Sequence, residues 1–233
     1  MDIFQSEEEQ VESIKKWWAA NANALMLGVG AGLLAIFSWQ TWNENKRTHT
    51  LEASDVYQEL TKVIQEDKFD AAIVLANQID KTYSDTPYAA LAGLQKAKAL
   101  LNTAERKAAV ESLEKVASNA TNNSLQHIAR IRSFRIRIAD GEMKSVIVDI
   151  DAVIKEEGGI NPGEFVGQYE ALKGDAYRLL GDVEKSRNSY IVALRSATLE
   201  RRLLQLKLDD LGPPPVASFA GEVATEIKAE SEK

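Results

Sequence analysis

Paired carboxylates, Asp149 with Asp151 and Asp209 with Asp210, are the side chains of this 233-residue chain whose type best suits acid–base work. Each pair lies in a helix-compatible stretch with basic residues a few positions away, the pattern of a solvated helix face. His49 and His127 are the only histidines. Neither has a second ligand-type residue at metal spacing, so both are expected at the surface. There is no cysteine, which removes thiolate and disulfide chemistry. No nucleophile sits beside a base and no Gly-rich loop follows a strand, so no enzyme, metal or cofactor is expected. What remains is the cluster Arg130, Arg132, Arg135 and Arg137, which flanks the apolar stripe Ile131, Phe134 and Ile138 on a helical wheel. These guanidinium groups could snorkel over a core edge or face a partner.

The net charge of −7 is spread along the chain and leaves no basic footprint for nucleic acid. The run from Trp17 to Asn43 carries no charge and is strongly apolar from Ala24 to Trp42. Nineteen helical residues rise about 28 Å, close to the hydrocarbon thickness of a bilayer. All four tryptophans, Trp17, Trp18, Trp39 and Trp42, stand at the ends of this run, where amphipathic rings favour the headgroup level. A cleaved signal peptide is the competing reading. The stretch is longer than an ordinary signal core and ends in Ser38-Trp39-Gln40-Thr41-Trp42, with no small-x-small site, so an uncleaved anchor is preferred. Lys15 and Lys16 nearly balance Lys46 and Arg47, but the first pair lies on a short tail, which favours the N-terminus inside. Ala24, Gly28 and Gly32 form a small-residue stripe that lets another membrane helix approach, or that simply faces lipid. Before the span, Ser6-x-x-Glu9 has the form of a capping box.

Beyond the span, Gly174, Tyr177, Gly181, Ser186, Tyr190 and Ala193 have the layout of a tetratricopeptide unit over 167–200. Small residues at its eighth and twentieth positions let two antiparallel helices touch, and the fifteenth makes the turn. The same frame fits 90–123 through Ala97, Leu100, Ala104, Ala109, Leu113 and Val116. It fits 53–86 through Leu60, Val63, Ala72, Ala76 and Ile79, with Leu60 larger than the frame prefers. It fits 127–160 through Gly141, Val146, Ile150 and Val153, with Phe134 where a small residue is expected. Starts at 53, 90, 127 and 167 give periods of 37, 37 and 40, the excess falling in loops. A plain bundle of eight antiparallel helices is the alternative. Residues 197–211 should cap the last pair through Leu199, Leu203 and Leu206, with Arg201, Arg202 and Lys207 on the outer side. Gly212-Pro213-Pro214-Pro215 then stops the helix, and the remainder to Lys233 is expected to be disordered.

The second, fifth, ninth and twelfth positions of such repeats commonly face an inner groove. They select Tyr57, Thr61, Leu94, Lys98, Ile131, Arg135, Asp175 and Arg178 as candidate groove residues, suited to a peptide segment or an acidic chain end.

An acidic N-terminal tail, then Gln10-Val11-Glu12-Ser13-Ile14-Lys15-Lys16-Trp17-Trp18, a glycine-rich span ending Trp39-Gln40-Thr41-Trp42-Asn43, and four helical repeats together resemble the YfgM-like family. That family comprises tetratricopeptide ancillary subunits of the bacterial SecYEG translocon. The likeness runs to about residue 211, and the Pro-rich tail stands outside it. The expected fold is all-α, a single N-terminal transmembrane helix followed by a tetratricopeptide-repeat-like α-solenoid of about four helix pairs with a C-terminal capping helix. Residues 1–21 would be a cytoplasmic tail, 22–42 the transmembrane helix, 43–211 a periplasmic repeat domain and 212–233 a Pro-rich tail. The resemblance implies a non-enzymatic inner-membrane adaptor associated with SecYEG and with a membrane-anchored periplasmic chaperone of prolyl-isomerase type (PpiD-like), which helps newly translocated clients. A tethered scaffold for another envelope complex is the alternative. The family carries no catalytic residues onto this chain.

Overall fold

Nine α-helices make up the structure among the described residues, with no strand. The computed structural model describes residues 7–156, 161–196 and 201–213. Ser6, Leu199 and the tail beyond Pro213, which figure in the expectations above, lie outside them. Helix α1 runs from Glu7 to Gln65. The chain divides into two units, Met1–Asp55 and Val56–Lys233, each taken by itself.

In the first unit α1 passes through the apolar run without a break, and the helix is long and apolar enough to cross a membrane. Its large side chains have no protein cover: Leu27 is 75% exposed and Leu34 70%. Exposure on every side suits lipid, because a soluble helix of this composition would bury at least one face. Trp39 and Trp42 meet edge to face at 5.9 Å, one turn apart.

The second unit stacks helices in antiparallel pairs. The end of α1 leads into α2 (Phe69–Thr82) through a turn at Asp67; α3 (Pro87–Asn102) pairs with α4 (Arg106–Asn119); α5 (Asn123–Ala139) with α6 (Met143–Ile154); and α7 (Val166–Leu179) with α8 (Val183–Leu194). Helix α9 (Arg201–Asp210) follows. Pro87 is the first residue of α3, where its missing N–H costs nothing. The chain turns within each pair by one recurring device. Asp67, Ala104, Gly141 and Gly181 all have positive φ, at 56°, 65°, 93° and 80°. The N–H of the residue after each returns to the carbonyl five positions back: Lys68 to Val63, Glu105 to Leu100, Glu142 to Arg137 and Asp182 to Tyr177. This is the Schellman closure, and it falls on the fifteenth position of every unit.

A left-handed residue other than glycine carries strain of about 1–2 kcal/mol, partly offset by its smaller unfolded-state entropy. Ala104→Gly is therefore expected to stabilise the domain by roughly 0.5 kcal/mol, and Gly181→Ala to weaken it by about 1 kcal/mol. Thermal midpoints read both, and a midpoint lowered by Ala104→Gly would show that the turn does not hold its left-handed residue.

The fourth pair is the tightest. Ser186 donates to the Gly174 carbonyl at 2.9 Å, and a Cβ on Gly174 would stand 2.5 Å from the Tyr190 ring. In the second pair Ser112 donates to the Gly93 carbonyl at 3.0 Å, and the Val116 side chain fills the space above Gly93. The third pair differs as its sequence suggested. Phe134 is buried at the position where the frame prefers a small residue, and α5 and α6 touch less than α7 and α8 do. The gap is filled by a core of Phe134, Val146, Ile150, Tyr169 and Leu172. Arg137 bridges the pair, bonding Asp149 at 2.8 Å and Glu142 at 2.9 Å with its guanidinium over the Phe134 ring.

The cap uses a different face from the one expected. Leu204 is buried against Tyr190 and Ala193, with Leu208 and Leu211 partly covered, while Leu203 and Leu206 are exposed. Polar contacts set this register. Lys207, expected on the outer side, reaches Asp175 at 2.6 Å; Arg178 pairs with Asp210 at 2.8 Å; and Arg187 donates to the Gly212 carbonyl at 2.6 Å.

Candidate functional site

The eight groove positions separate into three groups. Leu94 and Ile131 are buried at 8% and 3% exposure in the cores around α3/α4/α5 and α5/α6/α7. Their aliphatic side chains find cover between helices, so neither lines an open surface. Asp175 and Arg178 are half-buried and exposed respectively, and both are engaged by α9. The cap thus takes the fourth unit's share of the positions. Asp175 also accepts from the Tyr190 hydroxyl at 2.6 Å. Burial first, then this bond to a carboxylate, pushes the Tyr190 hydroxyl well above the usual phenol range, so it stays a proton donor.

The third group is open. Tyr57 and Tyr88 tilt together at 5.5 Å between ring centroids. Thr61 spends its hydroxyl on the Tyr57 carbonyl at 2.9 Å, which leaves its methyl as the group available to a partner. Lys98 and Arg135 are exposed, as is Arg132, and among the described residues none of the three has an ion-pair partner. The arginine cluster therefore divides by role. Arg137 staples the third pair, Arg130 donates to the Ala117 carbonyl at 3.4 Å, and Arg132 and Arg135 remain free. An aromatic pair with unpaired cations offers apolar contact and attraction for acidic groups to an extended segment.

A cavity of about 260 Å³ opens between α2, α3 and α4, a site that the groove positions did not mark. Ala76, Ala90, Gly93 and Val116 form part of its lining, with Lys96 and an Asp80–Lys115 pair at 2.6 Å around it. It is smaller than ordinary cofactor pockets, of about 300–1,000 Å³, and suits one or two inserted side chains. The sequence signal was indirect: small residues recur along α3 where a neighbouring wall would otherwise be filled.

The carboxylate pairs are structural. Asp149 meets Arg137, Asp151 meets Lys173 at 2.6 Å, Asp210 meets Arg178, and Asp209 accepts from Gln205 at 2.9 Å. Among the described residues no group of acidic or histidine side chains could hold a metal ion.

His127, expected at the surface, is 2% exposed. Its Nε2 lies 3.2 Å from the Asn161 carbonyl and its Nδ1 2.8 Å from the Tyr169 hydroxyl, with the ring stacked on Phe165. A carbonyl only accepts, so Nε2 carries the proton and Nδ1 accepts from Tyr169. Burial first lowers the His127 pKa from 6.5, the Arg130 charge adds to the lowering, and the Asn161 bond opposes it. Burial likewise pushes the Tyr169 hydroxyl up to about 12. Because the folded-state pKa lies under 6.5, the unfolded chain takes up a proton first. This stabilisation is full above pH 6.5 and is lost as the pH falls toward the folded value. The wild-type thermal midpoint should fall further between pH 7.5 and pH 5.5 than that of His127→Gln. Equal falls in the two proteins would remove His127 as the cause.

Comparison with known proteins bears on the whole chain. It is 26% identical over 213 residues to the "Ancillary SecYEG translocon subunit" of Escherichia coli (strain K12), covering 91% of this chain and 99% of that protein. The protein of the same name from Haemophilus influenzae is 24% identical over 206 residues, 88% of this chain and 97% of its own length. That from Aggregatibacter actinomycetemcomitans is 25% identical over the same shares. No solved structure matches. The family described as "Tetratricopeptide repeat-like domain" matches residues 15–213, which takes in the apolar helix as well as the paired helices. The chain belongs to this tetratricopeptide repeat-like family, and it is similar along nearly its full length to ancillary translocon subunits.

Proposed function

We propose that this chain is a non-enzymatic, membrane-anchored adaptor at the Sec translocon. The observation that carries the reading is the near full-length similarity to ancillary SecYEG subunits, from the lipid-suited helix through the last repeat. In this reading residues 22–42 span the inner membrane with the N-terminus in the cytoplasm, and the repeat domain of 43–211 works in the periplasm. The span meets translocon helices through Ala24, Gly28 and Gly32; no atom lies within 4 Å of a Cβ placed on either glycine, so the stripe is open to a partner. The aromatic and basic positions Tyr57, Thr61, Lys98 and Arg135 receive extended segments of a membrane-anchored prolyl-isomerase-type chaperone or of newly translocated clients.

The test is gentle detergent extraction from native membranes with identification of co-purifying proteins. Three chains are compared: the wild type, one with residues 22–42 replaced by an unrelated span, and one carrying Tyr57→Ala, Lys98→Glu and Arg135→Glu. The span replacement should lose the translocon and the triple variant should lose chaperone and clients. Gly28→Leu, which meets nothing within this chain, should weaken translocon recovery alone. Recovery of a different envelope complex through either span would replace the adaptor with a tethered scaffold.

A further inference from the structure

Helix α2 meets α3 at the step from one unit to the next, as α6 meets α7. In the repeat frame Ala76 of α2 falls on the place held by Leu113, Ile150 and Tyr190 in the other three units. Each of those three side chains is at most 1% exposed and fills a core. A methyl group cannot do the same, and the cavity of about 260 Å³ opens at Ala76. Its other buried walls include Thr86, Ser112, Val116 and Ala120. The two hydroxyls among them are spent inside the chain: Thr86 donates to the Tyr83 carbonyl at 2.8 Å and Ser112 to the Gly93 carbonyl at 3.0 Å. Water in such a space finds few partners, so an apolar group gains by displacing it.

One charge on the lining is left over. Asp80 pairs with Lys115 at 2.6 Å and Asp85 has a partner of its own, while Lys96 has no ion-pair partner among the described residues. In the repeat frame Lys96 holds the place of Lys173 in the fourth unit. Lys173 meets Asp151 of the preceding helix at 2.6 Å, and Asp151 follows Ile150 directly. At the α2–α3 step Ala76 and Asn77 stand where Ile150 and Asp151 stand before α7. An apolar plug and the carboxylate next to it are thus both lacking, and the cavity and the uncompensated Lys96 are what their loss leaves. We infer that the cavity between α2, α3 and α4 receives, from another polypeptide, one large apolar side chain with a carboxylate beside it, the first against Ala76 and the second on Lys96. Lys96 and Lys98 stand about 200° apart around α3, so this is a docking face separate from the Tyr57–Lys98 face, and it holds with or without the adaptor reading.

Ala76, Ala89, Ala90 and Ala120 line the cavity, so alanine-methyl NMR of the full chain in mild detergent reads it directly. The probe is the acetylated and amidated hexapeptide Gly-Ser-Phe-Asp-Ser-Gly. It should move those four methyl signals saturably, with a dissociation constant of about 1 mM. Alanine in place of its Phe should abolish the shifts, and Asn in place of its Asp should weaken binding about fivefold. Lys96→Glu should weaken binding about tenfold, and a peptide carrying Lys in place of its Asp should recover it. Ala76→Leu, which gives the position the size it has in the other units, should abolish binding while the thermal midpoint holds. Lys144→Glu, the same charge change at an exposed place on α6, should leave binding as it is. No saturable shift up to about 10 mM peptide, or equal binding of the Asp and Asn peptides by the wild type, would overturn the inference. Alanine signals that move on dilution of the protein alone would assign the cavity to a second copy instead.

Discussion

Gly174→Val is expected to weaken the repeat domain by about 3 kcal/mol, the upper end of ordinary overpacking costs, and to lower its thermal midpoint by roughly 6–12 °C. A Cβ on residue 174 would stand 2.5 Å from both Cδ1 and Cε1 of Tyr190, which has no room to retreat. Its ring is 0% exposed, its hydroxyl is held by Asp175, and the Lys207 ammonium lies 5.7 Å from its centroid. A larger residue must either push α7 and α8 apart or break those two contacts, and the second course also loosens α9. Tyr190→Leu in the Gly174→Val background should recover part of the loss, because it clears the ring. Thermal unfolding of the detergent-solubilised chain, followed by circular dichroism, reads both variants. A Gly174→Val midpoint within a degree of wild type would show that the two helices do not meet at this glycine.

The second large effect is on membrane attachment. Arginines replacing Leu33 and Leu34 should release the chain from the membrane fraction, measured as its share in the pellet after alkaline carbonate extraction. Each arginine near the middle of a span costs about 3 kcal/mol on insertion scales, and each leucine removed forfeits about half a kcal/mol, so the pair shifts partition by roughly 6–7 kcal/mol. Neither substitution disturbs packing within the chain, since Leu33 and Leu34 are 51% and 70% exposed. Retention of the double variant in the carbonate-washed pellet would mean that something other than this helix holds the protein there.

Which parts of this molecule could be read from its residues follows from the range of the interactions that place them. The turn at Gly181 was legible because its left-handed φ is a property of one residue, and glycine announces it. The equivalent turns at Asp67 and Ala104 carried no such mark and emerged only from the period. His127 looked like a surface side chain because its partners, Asn161 and Tyr169, lie 34 and 42 residues away. Spacing within one helix has no access to them. The cap failed for a related reason: α9 offers two leucine stripes, and the choice of Leu204, Leu208 and Leu211 is made by Lys207 and Asp210 finding Asp175 and Arg178. The groove rule marked Leu94 and Ile131 by position alone, whereas a large aliphatic side chain there is drawn into the core.

The neighbour-on-neighbour packing of the second unit also fixes how its native state can be reached. Each helix after α1 meets chiefly the ones immediately before and after it along the chain, and each turn is closed by a bond only five residues long. Loop-closure entropy is therefore met in small instalments, a topology that folds quickly and can propagate from any formed pair. A chain delivered N-terminus first can settle its repeats in order of arrival, without waiting for its far end.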